Sequence, residues 1–329
     1  MPEAHRLNDF ILTGKGNPEG LIKGMYFWTW NTHEVLDLVL WMREFNRSGK
    51  GHIEFTGFDM QNPTMAMTIL IDFVLLHNPE LLTSAQHLRE HIQLVGSLHS
   101  SPQVADFKQL ATESESLEKQ LAISSVNPVP KDIGWAMQMA RIVHQWASMQ
   151  GGEKTRDECM ADNVKWIAGN SPKSKIILWA HNGHVTYDGD SYVPMGAYLK
   201  RYFGPQLVSF GFVFDHGSFR ALGEGNRPTS FEIGPAPDGS LDHALASIGS
   251  PLFALDLRGL APDTSAGKWA SEPHPSRSIG AVFRGPDDPS TIVEVPITKR
   301  FDAILFVNET SPSIPIAPSA KKRYIAGVN

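Results

Sequence analysis

The segment KIILWAHNGHV, residues 175–185, joins a short apolar run to a cluster of polar side chains. Its first part, residues 175–178, has the length and composition of a buried parallel strand. Two histidines, His181 and His184, follow this run and are separated by an amide and a glycine. In open α/β sheets, ligands bind at the carboxyl ends of the strands. The segment therefore predicts an α/β fold with a functional site at one rim of its sheet.

The same order of strand, polar loop and helix is predicted earlier in the chain. Residues 52–58 alternate between apolar and polar side chains, as a strand does. Asp59 and Gln61 lie in the polar loop that follows, and Pro63 is suited to the first turn of the next helix. Both polar clusters are expected at the same rim of one parallel sheet. An alternative role for Asp59 is to cap the helix after Pro63.

Residues 78–170 are predicted to be mostly helical. Long helical patterns occupy residues 105–121 and 133–150, with the breaker sequence Asn127-Pro128-Val129-Pro130 between them. We interpret the whole stretch as a helical insertion that covers the sheet and its cleft.

Further strands are predicted in the second half of the chain, at residues 207–214, 252–257 and 303–307. Residues 223–290 are rich in Gly and Pro, which predicts irregular loops and a mixed or antiparallel sheet edge. The expected architecture is a single α/β domain over residues 1–329. It has a mostly parallel sheet flanked by helices and a partly irregular C-terminal region.

The composition gives no sign of a nucleic-acid or membrane partner. A net charge of −6 over 329 residues gives no sign of the positively charged surface that binds nucleic acid. The longest apolar stretch, residues 65–76, contains Asp72 and is shorter than the roughly 18 residues that a membrane helix needs. No signal peptide opens the sequence as given, so a soluble, cytoplasmic protein is expected. A signal peptide on a longer product stays open.

Several chemistries lack their motifs. The chain has no Gly-x-Ser-x-Gly elbow, no Gly-x-Gly-x-x-Gly after a strand and no His-Glu-x-x-His. Cys159 is the only cysteine, which excludes an internal disulfide and a cysteine-based zinc site. It lies in a polar helical pattern, where a structural role is favoured over a catalytic one.

Histidines with nearby carboxylates and amides remain as candidates for catalysis. His181 and His184 can serve as general base and oxyanion partner. Asp59 can orient a histidine, as the acid of a catalytic triad does. This set favours attack by an activated water over covalent catalysis. Two alternatives stay open: His181 only supports the strand end, or His216 or Asp59 completes a metal site.

Five blocks of the chain resemble successive blocks of the erythromycin esterase family. They are FWTWNT (27–32), GFDMQ (57–61), RDECMADN (156–163), WAHNGHV (179–185) and FDAILF (301–306), in the family's order. The resemblance implies an α/β hydrolase with a helical layer over its cleft. It also implies that the enzyme opens a macrolide lactone, an activity linked to antibiotic resistance, by activating water without a metal or other cofactor.

The resemblance also suggests roles for individual residues. It implies that His181 and His184 are catalytic, and that Arg156 and Asp157 form an ion pair that fixes a helix against the site. The supporting residues are expected to be Asp59, Gln61 and Asn182. Trp28 and Trp30 are candidates for an apolar pocket, although packing in the core is favoured for both.

The chain departs from the family at its start. The family begins with a strand, a Gly-Glu-x-x-His-Gly loop, a helix and a second strand that ends in an acidic residue. The loop histidine and that acid are central to catalysis in the family, and neither is present here. We therefore expect Met1 to be an internal start and the chain to be a truncated member. Removing two strands would expose apolar sheet edges that favour aggregation.

Three functions follow from these observations. The first is a cofactor-free hydrolase of a small-molecule carboxylic ester, in which His181 and His184 position water or stabilise an oxyanion. The second is a catalytically inactive remnant that acts at most as a binding protein. The third is a metallohydrolase. The identity of the ester and the oligomeric state are left open by the sequence.

Overall fold

The computed structural model describes residues 1–96, 102–123, 131–189 and 191–316. They fall into two compact units. The large unit comprises Met1–Pro2 and Thr56–Thr310, and the small unit comprises Glu3–Phe55 and the segment that begins at Ser311. The single domain over residues 1–329 stays a prediction. The predicted breaker at residues 127–130 lies outside the described residues.

The described part of the small unit contains three helices. They are α1 (Pro2–Thr13), α2 (Pro18–Lys23) and α3 (His33–Arg47). The Asn17 side chain caps α2 by accepting the Glu19 N–H, and Thr32 caps α3 by accepting the Val35 N–H. Apolar residues at helical spacing form its core, including Leu7, Ile11, Ile22 and Val39, all at 0% exposure.

Five helices open the large unit, as the helical periodicity of the sequence predicts. They are α4 (Thr64–His77), α5 (Leu82–Val95), α6 (Val104–Ile123), α7 (Lys131–Gln150) and α8 (Arg156–Asn170). Helices α6 and α7 pack against each other around Leu110, Leu117 and Met139. Cys159 is fully buried in the same core, and burial raises the pKa of its thiol to about 12. A structural role for Cys159 is therefore supported, because an unionised thiol is a poor nucleophile.

The sheet follows the helices. The strands are β1 (Phe210–Leu222), β2 (Pro228–Ile233), β3 (Leu252–Asp256), β4 (Ser276–Arg277), β5 (Ile292–Val293) and β6 (Ala303–Thr310). Four of them form one sheet in the order β2-β1-β6-β3, in which β1 and β6 are parallel. Strands β2 and β3 are its antiparallel edges, as predicted for residues 223–290. The predicted α/β class is confirmed.

Short helices connect and cover these strands. They are α9 (Asn182–Val185), α10 (Met195–Phe203), α11 (Leu241–Ala246), α12 (Ser265–Ala270) and α13 (Ile297–Arg300). Apolar side chains of α11, α12 and α13 pack with those of β1, β3 and β6, and Ile304 and Phe306 are the most buried members of this cluster. In the described parts of the chain, no helix is both long and apolar enough to cross a bilayer.

Two of the predicted strands are wrong. Residues 52–58 and 175–178 do not form strands, and Ile177 is 94% exposed. The apolar pattern shows that the side chains of these residues suit a sheet. A strand also needs a partner strand with which its backbone forms hydrogen bonds. Neither segment has a strand ladder among the described residues.

Candidate active site

Asp59 and Arg156 form a two-point ion pair within the large unit. Arg156 Nη2 donates to Asp59 Oδ2 at 2.7 Å, and Arg156 Nε donates to Oδ1 at 3.3 Å. Gln61 Nε2 and the Met60 N–H also donate to this carboxylate, at 2.7 and 2.9 Å. Burial alone would raise the pKa of Asp59, but these hydrogen bonds and the charge of Arg156 lower it overall. Asp59 is therefore a fixed anion.

The predicted alternative that Asp59 caps the next helix is wrong. The N-cap position of α4 is Pro63, which makes no side-chain cap, and the Thr64 N–H instead donates to Asn62 Oδ1 at 2.9 Å. Both carboxylate oxygens of Asp59 are engaged by Arg156.

His184 is held by Asp157, the residue that follows Arg156 in helix α8. Thr155 caps α8 by accepting the Glu158 N–H, which places Asp157 in the first helical turn. His184 Nδ1 lies 2.9 Å from Asp157 Oδ1, and the Met195 N–H donates to the same oxygen at 2.8 Å. A carboxylate only accepts hydrogen bonds, so Nδ1 carries the proton and Nε2 is left as the basic nitrogen.

Arg156 also reaches this histidine. Its Nη1 lies 3.4 Å from His184 Nε2, which is at the long end of hydrogen-bond distances. Successive contacts thus link four side chains in the order Asp59, Arg156, His184 and Asp157. The sequence predicted all four for the site, but the expected pairing of Arg156 with Asp157 is replaced by pairing of each with a residue outside α8.

His181 has a different environment from His184. Its Nδ1 accepts the Gly183 N–H at 3.0 Å and so caps α9, and its Nε2 donates to the Ile279 carbonyl at 2.8 Å. Burial lowers the pKa of His181, as do its electrostatic interactions with His184 and Arg300, and these effects outweigh the hydrogen bond to the Ile279 carbonyl. His181 is therefore held as a neutral ring with both nitrogens engaged, which is the arrangement of a positioning residue.

Asn182 and Gly183 fix the loop to its surroundings. The Asn182 side-chain amide donates to the Phe212 carbonyl of β1 at 2.7 Å and accepts the Phe212 N–H at 3.0 Å. It thus forms the two hydrogen bonds that a residue of a neighbouring strand would form. The Tyr192 hydroxyl donates to the Gly183 carbonyl at 2.6 Å. Tyr192 and the Met195 N–H were missed by the sequence analysis, since only the tertiary fold brings them to the histidines.

Trp28, Trp30 and His216 are the remaining candidates. Trp28 and Trp30 belong to the small unit, where Trp30 is partly buried against the core. His216 Nδ1 lies 2.8 Å from Asp215 Oδ2 in β1. Among the described residues, no three His, Cys, Asp or Glu side chains converge as metal ligands, so the metallohydrolase alternative is not favoured.

Comparisons with known proteins identify the family of the chain. The chain is 24% identical to erythromycin esterase type II of Escherichia coli, and the match covers 94% of this chain and 80% of that enzyme. A Bacillus cereus protein of known structure has a TM-score of 0.83 at 24% identity, covering 96% of this chain and 80% of that one. An erythromycin esterase mutant in its open conformation has a TM-score of 0.67 at 15% identity, covering 94% and 81%. Residues 1–310 match the family described as Erythromycin esterase. The chain therefore belongs to the erythromycin esterase family, and this membership supports a hydrolase.

Proposed function

We propose that the protein hydrolyses carboxylic esters, lactones among them, with His184 as the general base. The observation that carries the proposal is the 2.9 Å contact between His184 Nδ1 and Asp157 Oδ1. It fixes the tautomer whose Nε2 can accept a proton, and it stabilises the imidazolium that results. His181 supports the loop that presents His184 and is not itself the base.

The reaction uses one water molecule. His184 Nε2 takes a proton from the water while the oxygen attacks the ester carbonyl, which gives a tetrahedral oxyanion. The Arg156 guanidinium lies beside the same nitrogen and can stabilise that negative charge. When the C–O bond breaks, His184 returns its proton to the leaving alkoxide, so the products are an acid and an alcohol.

The substrate class rests on the relatives. Two curated relatives in Escherichia coli are named erythromycin esterases, which suggests a macrolide lactone as the first ester to test. A small neutral aryl ester is the second, because its hydrolysis can be measured even if the protein does not bind a macrolide ring.

The test separates the two histidines. His184→Gln is expected to lower kcat for both esters at least about 100-fold, since a general base contributes about 10²–10⁴-fold. His181→Asn keeps a side chain that can cap α9 but loses the hydrogen bond to the Ile279 carbonyl, so a lower melting temperature with little change in kcat is expected. His52→Gln, at an exposed histidine, is the control.

Equal kcat in wild type and His184→Gln would contradict the proposed base. No turnover of any ester by the wild-type chain would favour the inactive binding protein instead.

A further inference from the structure

The large unit contains an apolar cavity of about 290 Å³ between α11, β3 and α12. Every described side chain that lines it is Ala, Leu, Ile or Trp, and Ile297 of α13 and Ile304 of β6 belong to this lining. The candidate active site contributes no side chain to it. Water does not suit such a space, because a buried water needs about two to four polar partners and apolar cavities stay dry.

The lining follows from the periodicity of the elements around the cavity. Leu241, Leu245 and Ile248 lie at helical spacing on α11 and directly after it, so one apolar face is turned to the cavity. Leu255 and Leu257 are two residues apart, so they lie on the same face of β3 and its continuation. Each wall therefore presents an apolar face to the same space.

Alanine residues leave this space open. Ala244 of α11 and Ala266 and Ala270 of α12 line the cavity with a single methyl group each. Ile248 is 60% exposed and Ala266 is exposed as well, so the cavity opens to solvent on this side. An apolar molecule can therefore enter it without unfolding of the core.

The two helices are held in place and do not move together to fill the space. On α11, the Asp242 carboxylate accepts the Arg277 N–H at 3.1 Å. On α12, a Cβ atom at Gly267 would lie 2.1 Å from the Ala261 carbonyl oxygen, so this helix already touches the backbone of the preceding loop. Protein cores rarely contain voids larger than a water molecule, because the atoms around a void lose their contacts. A cavity of this size in a fixed frame indicates a binding site rather than loose packing.

We infer that this cavity binds a neutral apolar molecule of about ten carbon atoms. An apolar cavity of about 150 Å³ holds benzene, so a volume of about 290 Å³ suits a molecule of that size. A charged ligand is disfavoured, because the lining offers no partner for a charge. Trp269 adds a rigid wall, since the His274 ring stacks on it with 4.0 Å between the ring centroids. The inference goes beyond the proposed function and does not depend on it.

The first experiment locates the bound molecule. Naphthalene is titrated into the full chain labelled with ¹³C at the δ1 methyl groups of isoleucine. Saturable shifts are expected for Ile248, Ile297 and Ile304, each assigned by the loss of its signal on substitution with valine. Ile142, buried in the core of the helices, and Ile177, 94% exposed, are the references and are expected to keep their positions.

The second experiment fills the cavity. Ala244→Phe places a ring in the space, so calorimetry is expected to show at least about tenfold weaker naphthalene binding, with an unchanged or higher melting temperature. Ala266→Phe narrows the cavity from an exposed position, where the change does not endanger folding, and is expected to weaken binding as well. Ala105→Phe, at an exposed position of α6, is the control and is expected to bind as wild type.

The absence of saturable shifts at the three cavity isoleucines, shifts of equal size at Ile142, or shifts confined to Ile177 would overturn the inference. Wild-type affinity in both Ala244→Phe and Ala266→Phe would overturn it too. Neither experiment measures turnover, so failure of the proposed ester hydrolysis would leave this binding site unaffected.

Discussion

At the scale of single residues, Asp59 illustrates how a polar cluster sets the charge of its members. Its carboxylate receives hydrogen bonds from Arg156, Gln61 and the Met60 N–H, and its side chain is 24% exposed. Such charge-assisted hydrogen bonds are shorter and stronger than neutral ones. The lowered pKa of Asp59 therefore links the stability of the fold to pH.

Asp59→Asn is expected to lower the free energy of unfolding by about 1–3 kcal/mol at neutral pH, because it removes a charged acceptor from Arg156. The pKa of Asp59 is lower in the folded than in the unfolded chain, where it is about 3.9. Its stabilising effect is thus complete above about pH 4 and is lost as the pH falls through the folded pKa. The difference in the free energy of unfolding between wild type and Asp59→Asn should therefore become smaller as the pH falls below about 4.

Urea denaturation at a series of pH values measures this difference. The matched control is Asp256→Asn, which removes a two-point pair with Arg258, at 2.9 and 2.7 Å, from an exposed position. Solvent screens that pair, so a far smaller change is expected. A deficit of Asp59→Asn that stays constant down to the most acid pH would contradict the argument.

The sequence predicted which residues belong to the candidate site better than it predicted their roles. The block at residues 179–185 identified His181 and His184 because their types and spacing are local properties. Which histidine is bound to a carboxylate depends on Asp157, which is distant in sequence from His184. Arg300 carries no local signal at all, since a single arginine becomes unusual only when the fold buries it.

At the scale of secondary structure, predictions succeeded where the determining contacts are local. Helices α6 and α7 follow from apolar residues at helical spacing, which the sequence displays directly. The strand predicted at residues 303–307 is confirmed as part of β6, which has partners on both sides. Residues 175–178 have equally suitable side chains but no partner strand, and pairing is a nonlocal property.

Helix α10 depends on a close approach to the histidine loop at Gly196. A Cβ atom at this position would lie 2.3 Å from the Thr186 carbonyl oxygen and 2.4 Å from that of Val185. Because both atoms belong to the backbone, Gly196→Ala must shift either the helix or the loop. The shift would disturb the neighbouring Met195 N–H, which is bonded to Asp157.

Gly196→Ala is expected to destabilise the protein by about 1–3 kcal/mol through overpacking. It should also lower kcat, since the contact between Asp157 and His184 is displaced. Gly169→Ala in α8 is the control, because its Cβ would meet nothing within 4 Å and the change is expected to be neutral or stabilising. Calorimetric melting and ester turnover are measured for both variants, and an unchanged melting temperature for Gly196→Ala would rule out the close approach.

At the scale of the whole molecule, the large unit presents an apolar surface near the candidate site. We define it by Ile177, Trp179, Phe210 and Phe212, which are between 47% and 94% exposed. The hydrogen bonds from Asn182 to Phe212 tie the segment that carries Ile177 and Trp179 to β1. Large apolar side chains with this degree of exposure favour association between chains.

The chain is therefore expected to self-associate as its concentration rises. Replacing Ile177 and Phe212 together by lysine should weaken this association, because the charged side chains make the exposed surface less apolar and repel one another between chains. Leu76→Lys is the matched control, since it places the same charge on an exposed apolar position of α4. Sedimentation velocity over a wide range of concentrations measures the association of the wild type, the double variant and the control. A wild-type chain that stays monomeric throughout, or a control that dissociates as much as the double variant, would show that this surface does not drive association.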